Sequence, residues 1–245
     1  MKKRLLVLGL AFTMFAATAC GTSSDNGSKT SKADKTVTAT SNDNKKTETQ
    51  NNDDKDAKKE ETKESYKSAD DITMDDLSNH EETSADDFEY GDGPDGSVVI
   101  DGYTGDDPIV VIPDEIDGKK VVDFGKIFMN DKDIVAVQIG DNVDEIADSA
   151  FTNCDNLKYI IFGKNVKKIK SGLLGGKKIE QIEFNEGLET LGSGSSGVGL
   201  MSEIDVKIPD SVTEMAFWGA KTMIVKSGSY AENFAKEHNM DYRVE

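Results

Sequence analysis

Two cysteines, two histidines, one tryptophan and 7% aromatic residues are thin material for 245 positions, and each shortage excludes something. So few aromatics mean that any core must be built from aliphatic side chains. Two histidines, His80 and His238, leave no nucleophile with a partner in register and no two-Cys, two-His zinc spacing. Basic residues are also in deficit, 29 against 47 acidic, for a net charge of −18. Nucleic-acid binding needs a clustered excess of Lys and Arg to neutralise phosphates, so that class is excluded. The deficit is sharpest over residues 71–107, which carry 13 carboxylates and no Lys or Arg.

Long apolar runs are missing as well, apart from Leu5 to Ala17, which is too short to span a bilayer and follows Lys2, Lys3 and Arg4. This pattern predicts an export signal over 1–19. The run ends in Ala17-Thr18-Ala19-Cys20, which resembles the lipobox of bacterial lipoproteins, although Ala17 stands where that motif usually has Leu. The resemblance implies that Cys20 becomes the lipidated first residue of the mature chain, held at a membrane surface by its acyl chains. The alternative is an ordinary signal peptide cut after Ala19. With Cys20 lipidated, Cys154 is the one remaining thiol and no intramolecular disulfide can form.

Residues 20–70 are polar and nearly balanced in charge, with too few apolar side chains to offset the entropy of ordering. They read as a disordered tether. About 50 residues of coil span roughly 40 Å, a reach suited to holding a module away from a membrane. Residues 71–97 then read as a solvated acidic neck. Aspartates among glycines, Asp92, Asp95, Asp101, Asp106 and Asp107, invite a calcium reading, but no window follows the EF-hand order. Ser97 to Tyr103 reads as a first short strand and turn, so the folded domain is expected over 98–245, able to fold without residues 1–96.

Self-similarity organises that domain. Ile139-Gly140-Asp141-Asn142-Val143-Asp144-Glu145-Ile146 returns as Phe162-Gly163-Lys164-Asn165-Val166-Lys167-Lys168-Ile169, as Phe184-Asn185-Glu186-Gly187-Leu188-Glu189-Thr190-Leu191, and as Ile208-Pro209-Asp210-Ser211-Val212-Thr213-Glu214-Met215. A further copy, Ile112-Pro113-Asp114-Glu115-Ile116, precedes them. Three full copies begin with an apolar triad at i, i+3 and i+5: Ile134, Val137 and Ile139; Leu157, Ile160 and Phe162; Ile179, Ile182 and Phe184. That spacing is the leucine-rich-repeat pattern, a short strand on one wall with the rest of the coil returning behind it. Single units of this length cannot bury a face, so stacking supplies the core.

Through Ile208 to Val212, Ala150 to Leu157, and Asp101 to Gly105 leading to Val111-Ile112-Pro113, the chain resembles the BspA-like leucine-rich-repeat family of bacterial surface proteins. The resemblance implies a right-handed, mainly β solenoid of about five to six repeats, displayed outside the cell for adhesion or protein binding. Ala150-Phe151 keeps the family's Ala-Phe turn. Gly172 to Gly176 and Gly192 to Gly199 are degenerate, which predicts an irregular convex side there. At the far end, Ser229 is placed to cap a helix over 229–239, with Tyr230, Phe234 and His238 on one stripe beside Ala231 and Ala235, closing the stack. Tyr242-Arg243-Val244 can add a last strand.

Chemistry-bearing motifs are sparse. Gly192 to Gly197 satisfies the dinucleotide-binding spelling, but the repeat strand resumes too soon for the helix that motif requires. Cys154 reads as a small buried hydrophobe. The expectation is therefore a non-catalytic module with no cofactor and no metal, a monomer that binds a protein or a cell-wall or host-surface ligand while attached to the membrane through lipid on Cys20. Competing readings are an anchored structural spacer and an accessory subunit of an envelope enzyme. Strand alternation turns Val111, Gln138, Ile161, Glu183 and Lys207 outward in one column, with Ala136, Tyr159 and Gln181 in the next. The candidate binding face is Val111, Gln138, Tyr159, Ile161, Glu183 and Lys207, centred on Tyr159 and Ile161.

Overall fold

A computed structural model of the chain describes residues 68–245. The expected signal segment, Cys20 and the tether as far as Lys67 lie outside the described residues. The expected neck is folded, which corrects the assignment of 71–97 as solvated and of residue 98 as the domain start. A short turn at Ala69–Asp71 leads to helix α1, Met74–Asn79. Its start is fixed by a reciprocal cap, in which Thr73 N donates to Asp76 Oδ2 at 2.7 Å and Asp76 N to Thr73 Oγ1 at 3.3 Å. Phe88–Asp92 then forms an antiparallel hairpin with Val98–Tyr103. Val98–Tyr103 lies parallel to Lys119–Asp123, which pairs in turn with Glu115–Ile116. The physical reason is local. Ile72, Leu77 and Phe88 are few, yet each is buried, while most of the segment's carboxylates face water.

Beyond this opening sheet the chain winds as a mainly β solenoid with three walls. On the first, Ile109–Val111, Ala136–Gln138, Tyr159–Ile161 and Gln181–Glu183 run parallel in that order. Asp205–Lys207, Thr222–Val225 and Tyr242–Val244 form a further parallel sheet at the carboxyl-terminal end. The second wall stacks Glu145–Ile146, Lys168–Ile169, Thr190–Leu191 and Glu214–Met215. The third stacks Phe151–Thr152, Gly172–Gly175, Val198–Gly199 and Phe217–Trp218.

One strand residue per turn enters the interior from the first wall, giving the buried column Val110, Val137, Ile160, Ile182, Val206 and Met223. Ile146, Ile169, Leu191 and Met215 do the same from the second wall. Polar rungs tie successive turns. Asn142 Nδ2 donates to Asp114 O at 3.0 Å, and Asn165 Nδ2 to Asp141 O at 2.7 Å. At Gly163 the turns approach so closely that a Cβ would stand 2.4 Å from Gly140 O, which explains the glycine of that copy.

The glycine-rich segments are more regular than expected: Gly172–Gly175 and Val198–Gly199 are strands of the third wall. A parallel ladder needs only amides and carbonyls, which glycine supplies. Phe124, Phe128 and Phe151 fill the early turns, with Phe128 and Phe151 stacked at 5.8 Å between ring centroids.

Helix α2, Tyr230–Glu237, closes the other end, with Ser229 Oγ accepting from Glu232 N at 3.1 Å. It ends before His238, short of the expected Asn239. Ala231, Phe234 and Ala235 are its buried apolar residues, and His238 stacks on Phe234 at 4.0 Å. Tyr230 is 42% exposed and stands outside the buried stripe, at the first residue of the helix. Tyr242–Val244 is the last strand.

Candidate interaction surface

The first wall is built by alternation. Its strands are three residues long, the middle one points inward, and the two flanking side chains point outward in columns. Register makes the columns straight: Ile109, Ala136, Tyr159 and Gln181 align, as do Val111, Gln138, Ile161 and Glu183.

Exposure divides the candidate face in two. Glu183 and Lys207 are exposed, and Gln138 and Ile161 are half-buried. Val111 and Tyr159, expected on an open wall, are 5% and 7% exposed. Their strands are in the expected register, but residues 68–83 lie across them as a strap. Ile72 and Leu77 of the strap join Ile109, Val111, Val135, Ala136 and Tyr159 in an apolar cluster separate from the solenoid interior, with Ala69, Met74 and Ile161 at its margin. Burying two aliphatic side chains contributes about 1.5–3 kcal/mol each, so the strap's apolar grip rests on very few groups.

Polar latches complete that grip. Thr83 N donates to Val111 O at 3.0 Å and Thr83 Oγ1 accepts from Val111 N at 2.9 Å, pairing the strap with the edge strand. Lys158, whose side chain is 8% exposed, places Nζ 3.3 Å from Asp70 Oδ1 of the strap and 3.4 Å from Glu180 Oε1 of the next turn. The two carboxylates balance the charge of this lysine, which buried and unpaired would cost several kcal/mol. Tyr159 donates its hydroxyl to Glu180 Oε2 at 2.7 Å. Burial, followed by the acceptor and charge of Glu180, pushes the Tyr159 phenol up to about 12. His80 adds a looser contact, its Nε2 lying 3.5 Å from Asp107 Oδ2. The sequence signal for the strap was the Thr73-x-x-Asp76 cap among Ile72, Met74 and Leu77, with no repeat to support it.

The uncovered part of the wall is polar. Gln181 Nε2 donates to Glu183 Oε1 at 2.9 Å, and Lys207 Nζ lies 2.9 Å from Glu245 and 4.0 Å from Glu186. Ile161 is the apolar residue at the boundary between covered and open wall.

Elsewhere the chemistry is structural. Cys154 is buried, its Sγ donates to Phe128 O at 2.7 Å, and burial above all pushes its thiol up to about 12. His238 Nδ1 lies 2.9 Å from Phe234 O. Among the described residues, no three or more His, Cys, Asp or Glu side chains are grouped to hold a metal ion. An open groove of about 660 Å³ lies between Pro94–Gly96, Lys119–Asp123 and Lys170. Two of its lysines are paired: Lys119 Nζ with Asp92 Oδ1 at 2.6 Å, and Lys170 with Glu145.

Residues 125–221 match the family model for a BspA type leucine rich repeat region, in six copies. Among solved structures, the leucine rich repeat protein of T. pallidum is 28% identical, with 59% of this chain and 71% of that chain covered and a TM-score of 0.50. A leucine-rich repeat protein from Bacteroides ovatus ATCC 8483 is 20% identical, covering 54% of this chain and 37% of that one, with a TM-score of 0.40. A leucine rich cell surface protein from Faecalibacterium prausnitzii A2-165 is 18% identical over 54% of this chain and 49% of that one, with a TM-score of 0.32. The chain thus spans less than half the length of the latter two. No curated protein matches it.

Proposed function

We propose that the chain, whose residues 125–221 match the family model for a BspA type leucine rich repeat region, is a non-catalytic protein-binding module, held at the outer face of a bacterial membrane by lipid on Cys20. The observation that carries the binding reading is the registered outward column of the first wall, in which Gln138, Ile161 and Glu183 stand one per strand on a rigid parallel ladder. Neighbouring strands are about 4.8 Å apart, so the column offers a protein partner an evenly spaced row of one apolar and several polar groups. Partner energy concentrates on the apolar centre at Ile161, while Glu183 and Lys207 steer approach.

The test is capture of a partner from surface extract by the full chain. Ile161→Ser combined with Glu183→Lys is expected to lower capture at least tenfold while the melting temperature stays nearly constant. Undiminished capture by this folded variant sinks the assignment of the wall. Anchoring is tested separately: Cys20→Ala should move the protein from the membrane to the soluble fraction, and a variant that stays membrane-bound refutes the lipid reading.

A further inference from the structure

The strap shows by its own chemistry what the wall beneath it accepts. It seats two aliphatic side chains, Ile72 and Leu77, over Ile109, Val111, Ala136 and Tyr159, sets a carboxylate against Lys158, and pairs one residue of backbone with the edge strand. These contacts reach across the sequence, and the strap has little structure apart from them. Its single helix is six residues long, below the length that persists unaided in water. Ordering and docking of the strap are therefore one event.

Three features mark the covered wall as an interaction surface in its own right. Its apolar cluster is separate from the solenoid interior, so the repeats do not need the strap to complete their core. It is continuous with the open wall through Ile161, which touches the cluster and faces outward beside Glu183. It also offers an edge strand, Ile109–Val111, whose polar backbone takes up an added segment. The strap carries six carboxylates, Asp70, Asp71, Asp75, Asp76, Glu81 and Glu82, and no Lys or Arg, yet the buried cation that meets it is Lys158 alone. One side of the strap joins the fold at Ser84; its other side continues into residues outside the description.

We propose that the covered wall binds protein segments that set one carboxylate beside two aliphatic anchors, and that the strap, residues 68–83, is its intramolecular competitor. The inference rests on the protein-binding reading above and gives that surface a ligand class and a means of control. Being part of the same chain, the strap competes at the millimolar effective concentration typical of a short linkage. A partner must outbid it, or the strap must be detached first.

The probe is a labelled synthetic peptide spanning Ser68–Ser84, read by fluorescence anisotropy against the full chain. Ile72→Asp with Leu77→Asp detaches the strap, and this released chain is expected to bind the probe at least tenfold more tightly than the unaltered chain. Adding Ala136→Arg to the released chain, which fills the middle of the covered wall, should abolish that binding. A released chain that keeps slow hydrogen exchange at the Ile160 and Ile182 amides yet fails to bind the probe overturns the ligand class. Loss of that protection on release overturns the competitor role, because the strap is then a structural cap. In the unaltered chain, the Leu77 and Thr83 amides should exchange at least a hundredfold faster than Ile160; equal rates overturn the competitor role. If capture through Ile161 and Glu183 succeeds while the probe fails, this inference falls alone. If capture fails while the probe binds, the reading of the open wall falls alone.

Discussion

Tyr159 and Glu180 are joined across adjacent turns by a 2.7 Å hydrogen bond, and the other Glu180 oxygen lies 3.4 Å from Lys158 Nζ. The phenol's proton is thus held where the strap, the wall and the next repeat meet. Because burial and the neighbouring carboxylate raise its folded pKa from 10.0 to about 12, the folded state binds this proton more tightly than the unfolded chain. The associated stability is fully present below about pH 10 and is lost as the pH rises through about 12. Urea denaturation between those values should show stability falling more steeply in the unaltered protein than in Tyr159→Phe. Parallel curves mean that the phenol ionises freely and the wall is open to water.

Truncation separates the tether from the fold. A chain beginning at Ser68 keeps every described contact, and its urea midpoint should match that of the full chain. A chain lacking residues 1–96, sufficient if the domain began at residue 98, loses Ile72, Leu77 and Phe88, which are 1%, 0% and 6% exposed. At about 1.5–3 kcal/mol per buried side chain, it should be less stable by at least about 4 kcal/mol. It also bares the Ile109–Val111 edge, which should show as self-association in sedimentation. Equal stability of the two truncated chains refutes a folded strap.

What the sequence discloses, and what it hides, divides along one physical line. The triads at i, i+3 and i+5 locate every inward residue of the first wall from Val137 to Ile182, because each repeat confirms the next. Ser229 marks the cap helix for a similar reason: the signal is local. The strap has neither advantage, since Ile72 and Leu77 carry no period and their partners lie about 30 to 90 residues away. Tyr159 is the instructive case. Alternation states correctly that it points out of the solenoid, but says nothing of a distant segment landing on it. The third wall was obscured differently, its glycine strands being held by backbone pairing that leaves no side-chain pattern.

Phe151 is 1% exposed and touches Phe124 and Phe128, at 6.0 and 5.8 Å between centroids. Three rings in one cluster leave little room for neighbours to close over a deletion. Phe151→Ala should cost roughly 3–5 kcal/mol in urea denaturation, a large share of the stability of a domain without disulfides. A loss below about 1 kcal/mol is incompatible with this packing.

Cys154 provides a chemical probe of the same region. Its sulfur is buried and donates to Phe128 O at 2.7 Å, and its pKa is pushed up to about 12, chiefly by burial and then by the charge of Asp131. Alkylation requires the thiolate and access to it, and the fold withholds both. In a Cys20→Ala background, where Cys154 is the only thiol, iodoacetamide at pH 8 should label the native protein only as fast as the surrounding repeats open. Sub-denaturing urea should therefore accelerate labelling in proportion to that opening, and Phe151→Ala, which loosens the adjoining cluster, should accelerate it at least tenfold without urea. Labelling of the unaltered native chain at the rate of a free thiol places Cys154 at the surface and removes the packing account of the early turns.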